Sequence, residues 1–269
     1  MKVAVGIITK RKGGIDVIEA SLLRQTYRDF VLFVIDEHER NYWWEKVHPE
    51  VVCIQPPFKG NRPRNLARAY NLMAQYVDEA DLFISLQDYI WLPEDGIERF
   101  VECYKASGDK NLYTGLTSIS ADPTVEDIFD IEGAYSIFKE AWYKKPDEIA
   151  WHDARDSFYG EIGIDDTLRI IQIADPNHFE MNWAAIPVSL LRDGLTWDES
   201  YDEGIACENN KLALDAIVKY DCGIVLDRDN HAISFPHRDY FDEGEIGSAD
   251  NNKNLERFQD ELQKARSSQ

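Results

Sequence analysis

The sequence predicts an α/β protein built on a mainly parallel sheet covered by helices on both faces. Three observations predict it. Short, near-continuous apolar runs recur at 2–9 (KVAVGIIT), 30–35 (FVLFVI) and 81–86 (DLFISL), as expected of strands buried on both faces. Stretches of helical period separate these runs. Finally, Thr9, Asp36 and Asp88 stand where the strands end, the edge at which such sheets hold ligands.

Each element follows in order. The first strand gives way to Lys10-Arg11-Lys12-Gly13-Gly14, a basic turn, and then to a helix over 15–25 with apolar residues at 15, 18, 22 and 23. After the strand at 30–35, Asp36-Glu37 mark its end. A short third strand at 51–54 precedes the Pro56-Pro57 break. Leu66, Ala69, Tyr70, Met73 and Val77 share one side of a helix over 65–77. The strand at 81–86, a helix at 95–106 and a strand at 111–117 complete the first half. From 118 to 176 the pattern loosens into a segment rich in Asp, Glu, Trp and Tyr, with a helix expected over 135–144. Trp142, Tyr143, Trp151, Phe158 and Tyr159 within it read as buried packing residues. Order returns with a strand at 179–186, a helix from Pro187 ended by Gly194, an amphipathic helix over 205–220 and a strand at 223–226. The tail from 242 is polar and acidic, with a modest helix over 255–265.

The 269 residues suffice for a continuous core. With 29 basic and 50 acidic side chains the net charge is −21, a field that repels nucleic-acid backbones and anionic membranes. A phosphate-bearing ligand therefore calls for a divalent cation or clustered Arg and Lys. The four cysteines, Cys53, Cys103, Cys207 and Cys222, form no C-x-x-C pair and read as reduced thiols. The apolar run at the start is too short for a signal peptide, and no stretch approaches 18 apolar residues. These features point to a soluble, cytoplasmic protein.

Three local signatures occur in order. The first is strand, turn and helix with Gln25-Thr26-Tyr27, then a strand closing in Asp36-Glu37. The second is Pro63-Arg64-Asn65-Leu66-Ala67 opening a helix, followed by a strand ending in an acid and then Leu92-Pro93. The third runs from Asn182 through Pro187, Leu190-Leu191, Gly194, Trp197-Asp198-Glu199 and Glu208-Asn209 to His237-Arg238. Together they resemble the GT-A glycosyltransferases, a Rossmann-like fold, and within them the family-2-like group of nucleotide-sugar enzymes. The resemblance spans residues 2 to about 238, with 118–176 matching poorly.

That resemblance implies a single domain over 1–241, with a nucleotide-binding half at 1–117 and an acceptor-side half at 118–241, followed by a tail at 242–269. It implies a nucleotide-sugar donor, most simply a UDP-sugar, and an unknown acceptor hydroxyl on a glycan, lipid-linked molecule, protein or modified base. Thr9 would wall the nucleotide pocket, Asp36 would accept from the base, and Arg64 with Asn65 would lie near the phosphates. Asp88 falls in the metal-binding Asp-x-Asp region, His237 matches a late histidine that helps hold metal or diphosphate, and Glu208 falls in the pair supplying the general base. The implied cofactor is Mn²⁺ or Mg²⁺.

Two positions depart from the pattern. Gln87-Asp88-Tyr89 keeps one acid where relatives have two or three, so metal binding is expected to depend on donor oxygens. Asn209 stands at the usual base position, and an amide takes no proton at neutral pH. The base is then Glu208 or another acid such as Asp202 or Glu203. Plainer readings stand beside these: Asp88 as a turn cap, Asp36 as a solvated strand end, Arg64-Asn65 as a helix start, Glu208 as part of a solvated helix face and His237-Arg238 as a loop pair. A nucleotidyltransferase, suggested by the basic loop at 10–14, and a non-catalytic nucleotide-sugar-binding module are the alternative functions.

Overall fold

The computed structural model describes residues 1–9, 14–36, 39, 41–56, 65–121, 149–153, 155, 168–203, 206–236 and 239–268. The expected helix at 135–144 and the aromatic residues at 142, 143, 158 and 159 lie outside them. So do Arg64, His237 and the loop at 10–13.

The apolar runs become strands as their residues dictate. β1 (Val3–Thr9), β2 (Phe30–Asp36), β3 (Val51–Cys53) and β4 (Leu82–Gln87) form one parallel block in the order β3-β2-β1-β4. Helices α1 (Gly14–Leu22), α2 (Asn41–Val47) and α3 (Leu66–Ala74) connect them. The chain continues through β5 (Ile90–Trp91), α4 (Gly96–Ser107), β6 (Asn111–Ser120), β7 (Ile149–Trp151) and β8 (Ile170–Ile173). It then passes β9 (Trp183–Pro187), α5 (Val188–Arg192), α6 (Glu208–Tyr220), β10 (Gly223–Ser234) and α7 (Asp239–Ser268). The ten strands form one sheet with the path β3-β2-β1-β4-β9-β6-β10-β5, and β7 and β8 join at β6 and β10. Most paired residues run parallel. β9 lies antiparallel between β4 and β6.

Both faces are covered, as the unbroken apolar strands require. On one face Val3, Val5, Ile7, Leu32 and Ile84 pack with Ile15, Ile18 and Leu22 of α1 and Ile97 and Phe100 of α4. On the other, Ala4, Phe33, Ile35 and Phe83 pack with Tyr70 and Met73 of α3, Val188 and Leu190 of α5 and Leu212 and Ala216 of α6.

Three elements differ from the sequence expectations. β10 runs to Ser234 rather than ending near 226. Its polar stretch stays in the sheet because its buried groups are paired: Arg169 forks onto Asp227 at 3.0 and 2.9 Å, and Asn230 donates to Gly96 O while accepting from Trp183. The tail helix is thirty residues long, and Phe258 and Leu262 bury against Tyr201 and Leu214. Trp151, read as a packing residue, is 48% exposed on the short β7. The four cysteines form no disulfide.

Candidate active site

Register brings the strand-end residues to one level. Thr9 pairs with Asp36 across β1 and β2, and Ile8 pairs with Gln87 across β1 and β4, so Asp88 emerges beside Thr9. The Thr9 hydroxyl donates to Asp88 Oδ2 at 2.5 Å, and Asp88 is wholly buried. The first residue of α1 closes over them. A Cβ on Gly14 would lie 2.8 Å from Asp88 Cβ and 2.9 Å from Thr9 Oγ1, so only glycine fits there. Asp36, at the next strand end, is 5% exposed and accepts from Trp44 Nε1 at 2.7 Å.

A hydrogen-bond relay binds the end of β4 to its neighbours. Gln87 Nε2 donates to the Tyr70 hydroxyl at 2.9 Å, Tyr70 and Ser85 share a bond of 2.8 Å, and Ser85 donates to Met181 O at 3.0 Å. Tyr89, to which the sequence pattern gave no role, donates to Asn182 Oδ1 at 3.1 Å. Burial, followed by the charges of Tyr89, Glu208 and Asp88, raises the Tyr70 phenol, while Ser85 opposes the rise. That phenol therefore stands within the field of both the β4 acid and the α6 acid. Phe235 N donates to Tyr89 O at 2.8 Å, so the end of β10 lies beside the residue that follows Asp88.

Glu208 is the first residue of α6, and the two residues before it, Ala206 and Cys207, both have positive φ, 67° and 69°. Such backbone is costly for residues with a Cβ and persists only where the surroundings hold it. Burial lifts the Glu208 carboxyl to about 7, with Asp202 and Glu180 adding repulsion against a bond to its own backbone. Asn209 Nδ2 donates to Glu208 Oε1 at 3.1 Å, whereas Asn209 Oδ1 is buried with no hydrogen-bond partner among the described residues. Glu180 is likewise raised by burial, against the opposing pull of Arg155. An acid inside the apolar run FEMNWAAI was the one sequence signal that could have singled it out.

The remaining candidates divide. Asn65 occupies the N-cap position of α3, but its side chain makes no capping bond. Asp202 caps that helix instead, accepting from Ala67 N at 2.9 Å and Arg68 N at 3.1 Å, which gives it a structural duty at the start of α3. Burial raises its pKa and those two amides oppose the rise. Of the two expected metal ligands only Asp88 is described. Among the described residues no three His, Cys, Asp or Glu side chains gather as a metal site. A single carboxylate already bonded to Thr9 fits a hard divalent ion only where phosphate oxygens and water complete the shell.

No protein-family profile and no curated protein sequence matches the chain. Solved structures do match. A crystal structure of GalNAc-T7 with UDP, GalNAc and Mn²⁺ superposes with a TM-score of 0.58 at 11% identity, over 88% of this chain and 43% of that one. A mycobacterial protein matches with a TM-score of 0.46 at 11% identity, over 87% of this chain and 65% of that one. The chain thus has a GT-A-like, Rossmann-like α/β fold and spans less than half the length of GalNAc-T7. No helix among the described residues is long and apolar enough to cross a membrane.

Proposed function

We propose that the protein is a glycosyltransferase of the family-2-like group, moving a sugar from a UDP-sugar to an acceptor hydroxyl with inversion. The observation that carries this reading is the meeting of Thr9, Asp36 and Asp88 at one edge of the sheet. Support comes from the general tendency of open α/β sheets to hold ligands beyond the carboxyl ends of their strands, and from the GalNAc-T7 structure, which carries UDP and Mn²⁺. Thr9, Asp36, Arg64, Asn65 and Asp88 are the proposed donor-binding residues, with Asp36 receiving an N–H from the base.

Glu208 is the proposed general base. With a pKa of about 7 it exists substantially as carboxylate at neutral pH and still holds a proton well. It takes the proton from the acceptor hydroxyl as that oxygen bonds to the anomeric carbon and the bond to the diphosphate breaks. UDP leaves with the electron pair. Asp88, with His237, would hold Mn²⁺ or Mg²⁺ brought by the donor, an ion that would supply charge neutralisation at the diphosphate. Asp202 is the less favoured base, because each of its carboxylate oxygens already accepts an amide from the start of α3.

Titration calorimetry with UDP, with and without Mn²⁺, tests the reading. Binding strengthened by the ion is expected, and no binding under either condition would remove the transferase reading. Binding without turnover on any UDP-sugar would favour a non-catalytic nucleotide-sugar-binding module, a reading to which the Thr9–Asp88 bond and Asn209 lend support.

A further inference from the structure

The tail helix reaches the loop that delivers Glu208. Asn254 is 2% exposed on α7, and its amide donates to Tyr201 O at 2.9 Å and to Ala206 O at 3.0 Å. Both of its N–H bonds are therefore spent on one loop. One acceptor, Ala206, is the first of the two consecutive positive-φ residues, and the second, Cys207, packs against the cluster of Tyr201, Leu214, Phe258 and Leu262. Neither residue is glycine, so each conformation needs outside support, and Asn254 of α7 supplies it at Ala206.

The grip extends to residues 198–201. Arg257 donates to Ser200 Oγ at 2.7 Å and to Asp198 Oδ2 at 3.0 Å, and its guanidinium stacks 4.4 Å from the centre of the Tyr201 ring. Asp202 caps α3 directly after Asn65, and Cys207 leads into Glu208. Residues held by α7 thus adjoin both the start of the donor-side helix and the start of the helix bearing the proposed base.

We infer that Asn254 is a positioning residue for Glu208, acting through the carbonyls of Tyr201 and Ala206 to fix the backbone from which the Glu208 side chain extends. The inference rests on the proposed base role of Glu208. Asn254 touches no substrate in this scheme. Its effect passes through the backbone, where a displacement near 1 Å at a catalytic group costs about 100-fold in rate. Among the described residues the titratable groups coupled to Glu208 are Asp202, Glu180, Tyr70 and Cys207, so a shift of the loop changes its surroundings.

The test follows Glu208 itself rather than turnover. Carbon-13 NMR of labelled glutamate carboxyls, assigned with Glu208→Gln, gives the Glu208 titration midpoint. Asn254→Ala is expected to lower that midpoint by at least one pH unit as the loop relaxes toward water, with UDP and Mn²⁺ affinity unchanged by calorimetry. Arg266→Ala, which frees the far end of the same helix from Asp175 but leaves the clamp, should not move it. An unchanged midpoint in folded Asn254→Ala, or an equal shift in Arg266→Ala, would overturn the inference. If Asn254→Ala does not fold, Asn254→Ser, which keeps one donor, is read in the same way. Failure of the wild-type protein to bind UDP would instead undo the transferase reading, and the midpoint comparison would still stand.

Discussion

Thr9 and Asp88, 79 positions apart, are joined by a 2.5 Å hydrogen bond that closes the ends of β1 and β4 beneath the first residue of α1. The bond explains why a lone acid can sit wholly buried at the end of a strand, and it separates a structural duty from a binding duty at the same carboxyl. Asp88→Asn keeps an oxygen to accept from Thr9, so its unfolding free energy should change by less than about 1 kcal/mol. The Mn²⁺-dependent part of UDP affinity should vanish in calorimetry. Thr9→Val leaves the carboxylate short of a donor and should cost about 1–3 kcal/mol in denaturant unfolding.

Asp36 is held by the indole of Trp44, a residue of the short α2 that the sequence pattern did not mark. An amide at position 36 offers only one acceptor oxygen, for which Trp44 and a nucleobase would compete. Asp36→Asn should therefore weaken UDP binding by about 10- to 100-fold, the value of one charge-assisted hydrogen bond. Calorimetry at fixed Mn²⁺ measures it.

Glu208 gives a pH signature with a definite sign. Its folded pKa of about 7 lies above the ordinary glutamate value of about 4.3. The folded state consequently holds the proton more tightly. The stability this contributes is complete below about pH 4.3 and is lost as pH rises through 7. Glu208→Gln should become more stable relative to wild type by roughly 1–3 kcal/mol between pH 4.5 and 8, read from urea unfolding across that range. Donor turnover should rise with pH through an acid limb near 7 in the wild type, and the variant should lack that limb.

Phe258 is wholly buried against Tyr201 and Leu214, although it lies in the segment read as a tail. Phe258→Ala should destabilise the protein by about 3–5 kcal/mol. Thermal unfolding followed by circular dichroism should show one lowered transition, since the helix belongs to the main core.

The sheet was legible where burial on both faces writes unbroken apolar runs, as in β1, β2 and β4. It was not legible in β10, where Asp227 and Asn230 stay inside because distant partners, Arg169 and Trp183, satisfy them. A one-dimensional pattern carries no record of such pairings. The strand-end residues Thr9, Asp36 and Asp88 were legible for a topological reason, since a parallel sheet turns strand ends into a shared edge. Asp202 was legible as an acid near the site, but not its bond to a helix 135 residues away. Asn254 had no signal at all, because a buried asparagine in a polar helix looks like its solvated neighbours.

The insertion of β9 between β4 and β6 bears on how the chain is made. As synthesis proceeds from the amino end, β4 and β6 emerge with their facing edges bare, and the strand that covers both edges arrives only at Trp183–Pro187. Unpaired edges of this kind are templates for pairing between chains, and such long-range closure is intrinsically slow. The first 117 residues expressed alone should aggregate rather than form a soluble half, and the nascent protein should depend on chaperone cover until β9 has left the ribosome.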